Sequence, residues 1–165
     1  MPPINVPNPE KNASSLDSPE VQLDGFLAKY TPEIAALARG AIAKMRSYLP
    51  GATELVYDNY NALAIGFGPS ERASDAIFSI ALYPRWVSLF LLHGAGVPDP
   101  ERILQGTGTS ARHMILKSPE TLDEPAVQVL IEHALLGANV PIDPTRPGRL
   151  VIKSVSGQQR PRRPA

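Results

Sequence analysis

The chain has 165 residues and no cysteine, and its sixteen basic side chains balance sixteen acidic ones. This length suits one domain with tails, and the missing thiols exclude disulfides, thiolate metal sites and thiol catalysis. The charge is unevenly spread, because all sixteen acidic residues lie at or before Asp143, where ten basic residues leave a net charge of −6. An acidic body followed by a basic tail is the main electrostatic feature.

The first elements are marked by prolines and helix caps. Residues 1–17 contain four prolines and no apolar periodicity, so this segment is predicted to be disordered. A first helix is predicted over Ser18–Tyr30, with Ser18 as its N-cap. A second, longer helix begins after Thr31, carries apolar residues at i, i+3, i+4 and i+7, and ends at Pro50.

The most apolar stretch, Ala76–Leu92, is predicted to form two central β-strands joined at Tyr83-Pro84-Arg85. A membrane-spanning helix needs about 20 mostly apolar residues, and a proline and an arginine near its midpoint would be costly. Alternation directs Val87 to one face of the second strand and Trp86 and Phe90 to the other. Because a strand that is apolar on both faces is usually covered on both, we expect another layer, a ligand cavity or a partner subunit on the second face.

The other apolar runs complete the predicted elements. Three further strands are predicted, over residues 53–58, 62–67 and 112–117. A short helix is predicted over Asp99–Leu104, and a longer one has Asp123 as its N-cap and Gly137 as its C-cap. A proline-rich linker then leads to a candidate edge strand at Leu150–Ile152 and to a tail, residues 157–165, that is predicted to be disordered.

Strands joined by short loops pair antiparallel. The sequence therefore predicts an α+β fold, with an antiparallel sheet of about five strands and two N-terminal helices and one C-terminal helix packed on it. The predicted domain covers residues 18–137 and is followed by a linker and basic tail over residues 138–165. The N-terminus has no basic segment followed by an apolar one, so we expect no signal peptide and no membrane span, and the composition fits a cytoplasmic protein.

Three blocks of the sequence resemble the YdhG-like domain, a family of unknown function. They are FLAKYTPEIAALARGAIAKMRSYLPGATELVYDNYNALAIGF, LYPRWVSLFLLHGAGVPDPERILQGTG and TSARHMILKSPETLDEPAVQVLIEHAL, and they span roughly residues 20–137. The resemblance implies a small bacterial α+β domain with an antiparallel sheet and helices packed on it. Because some relatives are linked to frataxin-like iron handling, it also implies iron as a candidate ligand.

The three histidines of the chain give one site hypothesis. His93 and His113 are predicted to lie on strands or at their ends, where sites often occur, so a pocket lined by His93, Arg112 and His113 is one interpretation. The alternative is that backbone groups or water satisfy these imidazoles. His133 lies off the apolar stripe of the last helix and is predicted to face solvent.

A second polar cluster lies on the first predicted strand and in the turn after it. Alternation places Glu54 and Asp58 on one face and Tyr57 on the other, and Asn59 follows in the turn. Because carboxylates bind hard cations such as Mg²⁺ or iron, Glu54 and Asp58 are candidate metal ligands, and Tyr57 and Asn59 are candidate ligand-binding residues. The alternative is a strand with one polar face and an ordinary Asn-rich turn.

No motif in the sequence indicates catalysis, and no catalytic residue is predicted. The glycine-rich turns at 66–68 and 106–110 match neither a P-loop nor a dinucleotide-binding pattern, and no serine lies in a nucleophile elbow. The sequence favours a non-enzymatic binding or adaptor module. It would present Trp86 and Phe90 to a small molecule, to a protein or to a second copy of the chain. Binding of iron or another divalent metal is the first alternative.

Nucleic-acid association through the basic tail is the second alternative. Arg160, Arg162 and Arg163 lie in this tail and would attract a polyanion through charge. The tail itself has no aromatic residue to stack on bases. A solvated tail without a partner is the other interpretation.

Overall fold

The computed structural model describes residues 17–165, so the prediction for residues 1–17 lies outside the described residues except at Asp17. The two predicted N-terminal helices form as α1 (Pro19–Leu27) and α2 (Pro32–Tyr48). The hydroxyl groups of Ser18 and Thr31 accept hydrogen bonds from the backbone N–H three residues further on, at 3.3 Å in each case. Both helices therefore begin at the residues that the capping pattern predicts.

The described residues, 17–165, form one six-stranded sheet on which the helices pack. Its strands are β1 (Thr53–Asp58), β2 (Leu63–Gly68), β3 (Phe78–Leu82), β4 (Val87–Leu91), β5 (Arg112–Leu116) and β6 (Arg149–Val155). The spatial order is β5-β4-β3-β2-β1-β6, and every neighbouring pair is antiparallel except β1 and β6, which are parallel. The α+β class and the first five strands agree with the prediction, but the sheet is mixed and has six strands.

The sixth strand comes from the segment predicted as a linker and tail. It extends the candidate edge strand at Leu150–Ile152 on both sides and pairs with β1. The connection from β5, at the opposite edge of the sheet, runs through α3 (Pro125–Leu136). A crossover through a helix allows β6 to enter the sheet in the same direction as β1. The sheet therefore continues well past residue 137, where the sequence places the end of the domain.

The core lies on one face of the sheet, here called the helix face. Strand register aligns Val56, Ile65, Ile80, Leu89 and Met114 in one row across five strands. All five are buried in one cluster with apolar residues of α1, α2 and α3. None of these three helices packs on the opposite face of the sheet, here called the open face. Most of the hydrophobic stabilisation therefore acts on one side of the sheet.

Two predicted helix starts are wrong. Residues 99–104 form a turn without a helix. The carboxylate of Asp99 accepts two backbone hydrogen bonds there, and Arg102 has a left-handed φ of 54° that interrupts helical geometry. The last helix begins at Pro125 after Glu124, not after Asp123. Asp123 ends a short 3₁₀ turn, and its carboxylate binds Lys44 at 2.6 Å.

Candidate functional site

The open face has a floor of small side chains. Gly66, Ser79 and Phe90 are register partners across β2, β3 and β4, and Ala64 pairs with Ala81 beside them. The segment 69–76 folds over the part of this face near Gly66, where Ala76 lies 3.8 Å from the position a Cβ atom would take. The rest of the face, towards the β1–β2 and β3–β4 turns, stays open.

Aromatic side chains surround this open part and form what we call the aromatic groove. Its floor is Ala64, Ser79 and Ala81, and its walls are Tyr60, Tyr83, Trp86, Phe90 and Arg160. It consists of two adjoining depressions of about 540 and 650 Å³ that share Asn61 and Tyr83. Both volumes fall within the range of small-molecule sites.

The β3–β4 turn positions two of the aromatic walls. The backbone N–H of Tyr83 donates to the carbonyl of Trp86 at 2.9 Å, which closes a two-residue loop at Pro84 and Arg85. The two rings on either side of this loop stack with centroids 4.8 Å apart and planes at 23°. Trp86 is 41% exposed. Stacking on Tyr83 therefore holds one face of a large aromatic ring and leaves much of the indole accessible.

The C-terminal segment supplies another wall. The backbone N–H of Arg160 donates to the carbonyl of Tyr60 at 2.8 Å. The Arg160 guanidinium lies 5.9 Å from the centre of the Tyr60 ring, within the range of a cation–π contact. Tyr60 itself is 50% exposed. The C-terminal segment thus places a cation over the exposed Tyr60 ring, in the depression that Trp86 also lines.

A buried ion pair holds this C-terminal segment in place. Arg162 is only 6% exposed, and its Nη2 lies 3.0 Å from Oδ1 of the fully buried Asp58. Lys29 approaches the other carboxylate oxygen at 2.8 Å and also donates to Gln159. The prediction of a disordered tail over residues 157–165 is therefore wrong at Arg162, and this arginine is not available to a polyanion. Arg163 is exposed and donates to backbone carbonyls at the end of α1.

Tyr30 joins this ion pair to the sheet. Its hydroxyl donates to the carbonyl of Leu82 at 3.0 Å and accepts from the N–H of Leu63 at 3.1 Å. Burial raises the pKa of the Tyr30 hydroxyl, and the hydrogen bond from Leu63 partly offsets that effect. The Arg162 guanidinium lies 5.7 Å from the Tyr30 ring. The end of the sheet beside the groove is thus fixed by buried polar contacts.

The predicted metal ligands Glu54 and Asp58 are both paired with cationic side chains. Arg46 binds the two carboxylate oxygens of Glu54 at 2.8 and 2.9 Å and also reaches Glu20. Burial raises the pKa of Glu54, and the Arg46 guanidinium partly offsets that rise. In residues 17–165, no group of three or more His, Cys, Asp or Glu side chains has the arrangement of a metal site. This geometry gives no support to the hypothesis of a cation between the two carboxylates.

The predicted pocket of two histidines and an arginine does not form. Arg112 and His113 are consecutive on β5 and therefore lie on opposite faces of the sheet. His113 is on the open face, with its ring 5.1 Å from that of Phe90. Arg112 donates to the carbonyls of Gly108 and Ala111. These two side chains are thus separated by the sheet itself.

His93 instead lies near the histidine that was predicted to face solvent. Together with His133, it lines a small pocket of about 130 Å³ beside α3. The Nδ1 atom of His133 is enclosed and has no hydrogen-bond partner among the described residues. The Nδ1 atom of His93 lies 3.3 Å from the hydroxyl of Ser110. The prediction for His133 is therefore wrong, because contact with the segment after β4 covers part of the helix.

Comparisons with protein-family models, with curated proteins and with solved structures find no match to this chain. The resemblance to the YdhG-like domain and its link to iron handling therefore stay predictions. No helix in the described part of the chain is long and apolar enough to cross a membrane.

Of the six predicted ligand-binding residues, Asn59 and Trp86 line the aromatic groove. Tyr57 lies on the open face of β1, where it is the register partner of Ala64 on β2. The predicted ligand-binding residues did not include Tyr60 or Tyr83, and Arg160 was predicted only as a polyanion contact of the tail. Tyr60 and Tyr83 both lie in predicted turns, and an aromatic residue in a tight turn is a local signal that could have indicated a binding surface. The position of Arg160 depends on the buried anchor at Arg162, which no local pattern reveals.

Proposed function

We propose that the protein is a non-enzymatic binding module and that the aromatic groove is its binding site. The exposed, pre-stacked Trp86 is the observation that carries this proposal. Large aromatic side chains dominate the energetics of binding sites because they offer much apolar area with few rotatable bonds. A floor of small residues leaves room for a flat ligand beside these rings.

The rigidity of the groove supports the same proposal. Its walls lie on two tight hairpin turns and on a C-terminal segment anchored by Arg162. A site whose walls are already positioned loses little conformational entropy when a ligand binds. The groove therefore has the apolar walls and the few polar groups that small-molecule sites share.

A fragment screen by ¹⁵N–¹H NMR tests this function. The chain has one tryptophan, so its single indole N–H signal reports directly on the groove. Flat fragments such as indole, adenine and uracil, with N-acetylprolinamide as a prolyl fragment, should shift this signal and the amides of the two turns. Trp86→Ala should weaken the binding of these fragments by about fivefold or more, since the stacking contact is lost.

Val129→Ala serves as the matched control. Val129 is also an exposed apolar residue, at 44%, but it lies on α3 and outside the groove. Its substitution should leave fragment binding unchanged. Fragments that bind only in the pocket of His93 and His133 would contradict the proposal, as would fragments that shift no signal.

A further inference from the structure

Three exposed cationic side chains lie in the aromatic groove or next to it in the strand register. Arg85, Lys117 and Arg160 are exposed and form no side-chain hydrogen bond or ion pair with any residue between 17 and 165. Arg85 lies in the β3–β4 turn next to Trp86. Val87 pairs with Leu116, so the next positions in the same register bring Trp86 opposite Lys117. Arg160 lies over the ring of Tyr60.

Acidic side chains are absent from the described residues that line the groove. Asp58, which lies behind its wall, is already neutralised by Lys29 and Arg162. The strands also contribute no acidic residue to the open face, since Glu54 and Asp58 alternate onto the helix face. The described lining of the groove therefore combines exposed aromatic rings with nearby cations and contains no acidic side chain.

From this combination we infer that the groove binds single-stranded nucleic acid, with bases stacked on Trp86 and Tyr60 and phosphates held by Arg85, Lys117 and Arg160. This inference rests on the function proposed above and names its ligand class. Sites for single strands combine a positively charged groove with aromatic faces on which successive bases stack. The tail alone lacks an aromatic residue, but the fold brings its Arg160 to Tyr60 and into the depression that Trp86 also lines.

Two other occupants fit the charges less well. In a symmetric dimer through this face, an isologous interface would bring Arg85, Lys117 and Arg160 close to their own copies. Like charges in such an interface are costly. A proline-rich peptide would stack on the rings but would bring no anion to these three cations. A single strand supplies bases that stack on the aromatic rings and phosphates that pair with the three cations.

Fluorescence anisotropy with a labelled thymidine oligomer tests the inference. An oligomer of about ten nucleotides covers a typical single-domain site, and an abasic deoxyribose-phosphate oligomer of the same length has the charge without the bases. The thymidine oligomer should bind, quench the fluorescence of Trp86 and bind more tightly than the abasic one. Trp86→Ala should weaken binding by about 5- to 150-fold, the range measured for the loss of one stacked base.

Charge variants give a second, independent readout. Arg160→Gln and Lys117→Gln should each reduce the slope of log affinity against log salt by about 0.7, the value for one phosphate contact on a single strand. Arg39→Gln, at an exposed arginine on α2, should leave that slope unchanged. A uridine oligomer run in parallel distinguishes RNA from DNA. Point variants are needed because removal of residues 157–165 would also remove the structural Arg162.

Several outcomes overturn the inference. They are the absence of binding at low salt, equal affinity for the abasic oligomer, and an unchanged affinity of the Trp86→Ala variant. If decaproline quenches Trp86 and the oligomers do not, the ligand class is wrong while the groove remains the binding site. If neither the oligomers nor the NMR fragments reach the groove, the proposed function fails as well.

Discussion

Asp58 shows how one buried carboxylate can organise the end of a sheet. It is the last residue of β1, is fully buried, and binds Lys29 at 2.8 Å and Arg162 at 3.0 Å. A buried ion pair contributes little compared with a well-packed apolar pair, but removal of one partner leaves a charge without compensation. The cost of losing Asp58 therefore comes mostly from the stranded guanidinium of Arg162.

We expect Asp58→Asn to lower the free energy of unfolding by about 3–5 kcal/mol, the range for breaking a buried pair. Urea denaturation measures this change. Arg160→Gln, at an exposed neighbour in the same segment, should change stability by no more than about 0.5 kcal/mol. The double variant Asp58→Leu with Arg162→Met should recover part of the loss. A loss below about 1 kcal/mol for Asp58→Asn would mean that the ion pair of Arg162 with Asp58 is not what anchors the C-terminal segment.

At the scale of secondary-structure elements, the packing of α2 explains why a glycine occupies a position inside a helix, where glycine is unfavourable. Gly40 lies inside the helix, where glycine costs about 1 kcal/mol relative to alanine. In the structure, a Cβ atom at this position would lie 2.4 Å from Cγ of Pro119. The 3₁₀ turn at Pro119–Asp123 therefore packs directly on the backbone of α2, and only glycine permits that approach.

Gly40→Ala should thus destabilise the protein by about 1–3 kcal/mol, the usual cost of overpacking, despite the better helix propensity of alanine. Gly25 is the matched control, because it lies in α1 and a Cβ atom there would meet nothing within 4 Å. Gly25→Ala should stabilise the protein by about 1 kcal/mol. Thermal unfolding of both variants measures the contrast. Equal effects of the same sign would rule out the packing explanation.

At the scale of the whole molecule, the burial of Glu54 makes the free energy of unfolding depend on pH. The pKa of Glu54 is raised above its ordinary value of 4.5 by burial, with partial compensation from Arg46. The folded state therefore holds the Glu54 proton more tightly than the unfolded state. The contribution of this group to stability is present in full below pH 4.5 and is lost as the pH rises through the folded-state pKa.

Denaturation curves of wild type and Glu54→Gln across this pH range test the sign. The stability of wild type relative to Glu54→Gln should fall as the pH rises above 4.5. Glu101→Gln, at an exposed glutamate, should follow wild type at every pH. A relative stability that instead rises with pH would show that Arg46 outweighs burial at Glu54.

The sequence determined most of the fold by itself. Helix caps at Ser18 and Thr31, strand alternation and the prolines of the turns are local signals, and they predicted α1, α2 and the first five strands. The same alternation correctly separated Trp86 and Phe90 from the core side of β4. It would also have excluded a joint pocket of Arg112 and His113, because neighbours on a strand lie on opposite faces.

Only the tertiary structure decided the aromatic groove and the role of the C-terminal segment. The parallel pairing of β6 with β1 and the Asp58–Arg162 pair join residues about a hundred positions apart, and no local pattern carries that information. These contacts bring Arg160 to Tyr60, whereas the sequence alone predicted a disordered tail. The physical reason is that burial of a charge depends on which partner the folded chain brings to it, and residue type alone does not reveal that partner.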